Sequence, residues 1–73
     1  MSKNPLYVEI SIKENLDERW QEWFQGLTLF TDLEGSSRLT GEVADQPALY
    51  SVLECIRNLN LTLVSVQVKE IAF

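Results

Sequence analysis

The 73-residue sequence contains no histidine and one cysteine, Cys55. Without histidine the chain has neither the usual general base at neutral pH nor the commonest metal ligand. One cysteine excludes an internal disulfide framework, a CxxC redox pair and a cysteine-built zinc site. Positive charge is scarce: six Lys and Arg stand against eleven Asp and Glu, for a net charge of −5. The cations form no basic run, so phosphate neutralisation, the main source of nucleic-acid affinity, has little to work with. Anionic membrane surfaces are disfavoured for the same reason. No apolar run approaches the roughly 20 residues that span a bilayer, and residues 1–5 do not lead into the apolar segment of a signal peptide. A cytoplasmic protein without nucleic-acid or membrane partners is the expectation.

Patterning gives the architecture. Leu6, Val8, Ile10 and Ile12 alternate with Tyr7, Glu9, Ser11 and Lys13, the period of a half-buried strand. Asn15 with Glu18 reads as a capping box opening an α-helix whose apolar stripe is Leu16, Trp20, Trp23, Phe24 and Leu27, stopped by Gly26. Alternation resumes over Leu27–Leu33 and Ser37–Val43, a hairpin. A three-residue turn at Glu34-Gly35-Ser36 pairs Leu33 with Ser37, Asp32 with Arg38 and Leu27 with Val43, and collects the leucines on one face.

Asp45 caps a second helix, with Pro47 in its first turn and Leu49, Val52, Leu53, Ile56 and Leu59 as its stripe. Asn60 is an αL stop, with Leu61 as the hydrophobic contact of a Schellman motif. Leu61–Ile71 is a final β-branched strand. Leu61 and Leu63 lie out of phase with Val64, Val66 and Val68, which calls for a bulge or a frayed start.

The order strand, helix, strand, strand, helix, strand predicts an α+β ferredoxin-like βαββαβ two-layer sandwich, its antiparallel sheet ordered 4-1-3-2. It spans residues 1–73 as a single domain, with 1–5 expected disordered. Both helices cover one sheet face, leaving Tyr7, Phe30 and Arg38 on an open face as a candidate interaction surface. Strand Leu27–Leu33, at the sheet edge, lacks proline or lysine protection.

No motif carries chemistry. The carboxylates fall in no recognisable acid–base spacing, and Gly35-Ser36-Ser37 is a turn rather than a phosphate loop. Cys55 beside the second helix stripe reads as a partly buried structural thiol with no base to activate it. No catalytic residue, metal ligand or cofactor site is expected.

Leu16-Asp17-x-Arg19-Trp20-x-x-Trp23-Phe24-x-Gly26-Leu27-Thr28, Leu39-Thr40-Gly41-x-Val43-x-Asp45-Gln46-x-Ala48-Leu49, Ile56-Arg57-x-Leu59 and Ser65-Val66 resemble a family of short, uncharacterised bacterial hypothetical proteins. The resemblance covers nearly all of the chain after Lys13. It implies a bacterial single-domain protein and carries no activity with it. Within its motifs, Arg19 and Gln46 join the candidate surface, Arg19 also being readable as one half of a helix-surface ion pair. The expected function is a non-enzymatic protein-interaction or regulatory module, a homodimer or an adaptor. A small-metabolite sensor binding at a dimer interface is the alternative, and a histidine-free enzyme ranks last.

Overall fold

A computed structural model describes residues 5–70. The element order is β1 (Leu6–Ile12), a 3-10 helix (Glu18–Phe24), β2 (Leu27–Thr31), β3 (Ser37–Val43), α1 (Gln46–Asn58) and β4 (Leu63–Glu70). The expected disorder of residues 1–5 falls mainly outside the described residues; Pro5 itself is half-buried. The four strands form one sheet in the order β2-β3-β1-β4, every pairing antiparallel. This is the expected strand order and sense.

The first helix is where the sequence expectation fails. The segment is a seven-residue 3-10 helix capped by Asp17, not an α-helix capped by Asn15. The βαββαβ ferredoxin-like arrangement is therefore not formed, although the fold is α+β. The cause lies at Leu16, which is buried and whose backbone is already committed to the sheet. Its N–H donates to Ser37 Oγ at 2.8 Å and its carbonyl accepts from Thr31 Oγ1 at 3.1 Å. Gly26, at φ 89°, ends the segment on the other side. What remains is too short to repay α-helix nucleation, and a tighter i to i+3 turn forms instead, as in the Trp20 N–H to Asp17 C=O bond of 3.0 Å.

The second helix follows the sequence closely. Asp45 accepts from the Ala48 N–H at 3.0 Å, and Pro47 sits in the first turn. At the other end Asn60 has φ 63°. Its N–H reaches Arg57 C=O at 3.0 Å and the Leu61 N–H reaches Ile56 C=O at 3.1 Å, the two bonds of a Schellman motif.

The hairpin keeps its expected faces but shifts by two residues. Leu27 pairs with Gly41, Leu29 with Leu39, and Phe30 rather than Asp32 with Arg38. Asp32 is the reason. Its Oδ1 accepts from the Glu34 and Ser36 N–H groups at 2.9 and 3.0 Å, and its own N–H reaches Ser36 C=O at 2.9 Å. This side-chain-built turn takes residues 32–36 out of the ladder and leaves Leu33, an expected core residue, fully exposed. Closer pairing at Leu27 depends on Gly41, where a Cβ would stand 3.0 Å from Leu27 Cδ2.

Val8, Ile10, Ile12, Leu16, Phe24, Leu27, Leu39, Val43, Leu49 and Ile56 make the core between sheet and helices. The β1–β4 register shifts between Ser11 and Ile12, so that Leu63 comes opposite Ile12. That irregularity resolves the phase conflict in the last strand.

Candidate interaction surface

The sheet carries both helical elements on one face. Its other face follows from the register in three rows. Phe30, Arg38, Ser11 and Ser65 form one; Thr28, Thr40, Glu9 and Gln67 the next; Glu42, Tyr7 and Lys69 the third. Arg38 and Lys69 balance Glu9 and Glu42, so this face is neutral while the chain carries −5.

Phe30 and Arg38 are cross-strand neighbours, both exposed, with Phe30 53% accessible. Tyr7 lies on the same face but is half-buried, two strands and four register positions from Phe30, so the two aromatics do not form one patch. Arg19 and Gln46 belong to the helical layer. Arg19 holds Asp17 in an exposed ion pair of 2.8 Å. Gln46 is the exposed first residue of α1.

The two edges of the sheet differ sharply. At β2 the Gln21 side chain supplies a substitute strand: its Nε2 donates to Leu27 C=O at 2.7 Å and to Phe24 C=O at 3.3 Å, and its Oε1 accepts from the Leu29 N–H at 3.1 Å. In a 3-10 turn, residues three apart eclipse, so Gln21 stands over buried Phe24 and faces the strand. By its own composition β2 is an unprotected edge, and the sole sequence hint of Gln21's role is its spacing of three from Phe24.

At β4 there is no such cover among the described residues. Leu63, Val64 and Val68 are 45%, 62% and 46% accessible. The main-chain directions can be followed across the sheet. Leu27 and Leu29 turn their peptide groups toward Gln21, away from β3. Alternation through the pairs Thr28–Thr40, Leu39–Ile10 and Glu9–Gln67 then points Ser65, Gln67 and Lys69 at β1 and leaves Val66 and Val68 facing outward. The Lys13 N–H to Thr62 C=O bond of 3.0 Å, on the β4 side of β1, agrees with this phase.

The start of β4 is anchored by Glu14, whose carboxylate accepts from the Thr62 N–H and Oγ1, both at 2.7 Å. These bonds hold the Glu14 pKa below its ordinary value. Asp17 is lowered by its bonds to Arg19, and Arg19 is raised by Asp17. Both perturbed carboxyls are thus held in the charged form.

A shallow groove of about 320 Å³ lies between the 3-10 helix and α1, lined by Trp23, Phe24, Val52 and Cys55 among others. Trp23 is 59% accessible, and the half-buried Cys55 Sγ lies 3.8 Å from Trp23 C=O. Among the described residues no group of His, Cys, Asp or Glu is arranged to hold a metal ion, and no helix is long and apolar enough to cross a membrane.

No curated protein and no solved structure matches the chain. A family model described as a domain of unknown function, DUF8691, matches residues 7–67, from the second residue of β1 into β4, and the chain belongs to that family.

Proposed function

We propose that this domain is a non-enzymatic interaction module that engages other protein chains through its sheet. The observation that carries the reading is the row of exposed apolar side chains, Leu63, Val64 and Val68, along a strand whose outer main-chain groups meet no partner among the described residues. A general acid needs a carboxyl held protonated near neutral pH, whereas Glu14 and Asp17 are both shifted the other way.

Val64→Lys tests this by placing a charge on the edge. As a surface change it alters stability by less than about 0.5 kcal/mol. Self-association, or capture of proteins from a cell extract, is expected to fall in the variant. Equal masses and equal captured proteins for both forms would remove the reading.

A second reading places the contact on the open face, favoured by the exposure of Phe30 beside Arg38 and by the neutral charge balance there. Phe30→Ser isolates it. A small-metabolite sensor has the groove at Trp23 in its favour, since about 320 Å³ lies at the lower end of ligand-pocket volumes. A ligand held there would raise the thermal midpoint, because binding to the native state alone stabilises it.

A further inference from the structure

Resting on the edge reading above, we infer that the partner at β4 is a second copy of this chain. The two β4 strands add antiparallel about a two-fold axis normal to the sheet, making one eight-stranded sheet with all helices on the same side.

Three observations lead there. First, β4 offers an alternating row of free main-chain groups at Val66 and Val68, and an antiparallel two-fold pair satisfies the same groups on both copies. Second, charge permits it. Residues 58–68, eleven in a row, form the longest stretch of the sequence without a charged side chain. Two copies at −5 repel, and along this edge they meet with no like charges opposed. Third, Gln21 closes the other edge. One open edge per copy, among the described residues, makes the assembly stop at two, whereas two open edges would propagate.

The irregularity near Leu63 fixes the register. Regular pairing with β1 runs over Ser65–Lys69, so the matching stretch is centred on Gln67. Gln67 meets Gln67 of the second copy, Val66 meets Val68 twice, and Ser65 meets Lys69 twice. Val66 and Val68 are then the hydrogen-bonded pairs. The Val68 N–H of each copy donates to the Val66 C=O of the other.

Two variants and a control decide it, read by light scattering across a concentration series. Val68→Pro removes the outward N–H without adding a charge, at a position where an edge strand tolerates proline. One bond lost per copy weakens dimerisation by about 30-fold, with the circular dichroism spectrum retained. In a Cys55→Ser background, Gln67→Cys forms a self-crosslinked dimer on oxidation, since directly opposed strand residues lie within disulfide reach. The control Thr28→Cys, on β2, forms no crosslink between the two copies of the dimer. A wild-type dimer that survives Val68→Pro but is lost in Phe30→Ser would overturn the β4 assignment and leave self-association standing. A wild-type monomer at millimolar concentration would overturn the second copy. The edge reading itself would then fall only if Val64→Lys also leaves the proteins captured from an extract unchanged.

Discussion

The β2 and β4 edges belong to one sheet and solve the same problem in opposite ways. The β2 side is tied in by side chains: Gln21 on the strand backbone, Thr31 and Ser37 on Leu16. The β4 side relies on its ladder to β1 and on the Glu14–Thr62 anchor at one end. The difference teaches that an edge is protected by what the preceding loop delivers to it. No residue of β2 itself marks it as covered.

The largest effect is expected at Gly41, in the strand beside β2. Its φ is 150°, and a Cβ there would stand 3.0 Å from Leu27 Cδ2 and 3.1 Å from Gly26 O, which leaves no space for a side chain. Gly41→Val combines backbone strain with overpacking and costs about 3 kcal/mol, measurable by urea denaturation. Next comes Ser37→Ala. The buried hydroxyl donates to Glu14 C=O at 2.7 Å and accepts from the Leu16 N–H. Stranding both groups costs about 2 kcal/mol. A drop below about 0.5 kcal/mol would mean that water or a loop shift replaces it.

Gln21→Ala removes the cover from β2 at a cost of about 1 kcal/mol. It sharpens the comparison more than its energy suggests, because both edges are then open. Light scattering should show species larger than a dimer growing with concentration. The smallest effect is expected from acid. Glu14 titrates below its ordinary range in the folded chain, so its contribution is present above the unfolded pKa and is lost as pH falls through the folded value. Glu14→Gln should flatten that acid limb of the thermal midpoint against pH. An unchanged limb would place the acid sensitivity at Asp17 instead.

The parts legible in the sequence are those governed by local rules. Asp45, Pro47, Asn60 and Leu61 each do what their residue type favours, because cap geometry involves neighbours within six positions. Strand order and the two sheet faces follow from alternation, which a register shift of two residues leaves intact. That is why alternation puts Tyr7, Phe30 and Arg38 on one face in both sequence and structure, while Leu33, in phase with the core, is carried out of it by the Asp32 turn. The illegible parts depend on long-range partners. Leu16 looks like the first residue of a helical stripe until Ser37, 21 positions away, takes its N–H. Gln21 reads as a solvated helix residue until the helix tightens to three residues per turn. Exposure along β4 depends on how much of the sheet α1 covers, which periodicity does not report.

The position of β1 has a consequence for how the chain folds during synthesis. It precedes the other three strands of the sheet and lies in its interior, paired on one side with β3 and on the other with β4, Leu6 reaching Glu70. Val8, Ile10 and Ile12 therefore leave the ribosome well before their last neighbour exists. Helix and hairpin can form early from local contacts, but the central ladder closes only after residue 70 has emerged. Pairings of such long sequence separation fold slowly and hold an apolar strand open in the interval. For this domain, the exposed interval belongs to its most buried strand.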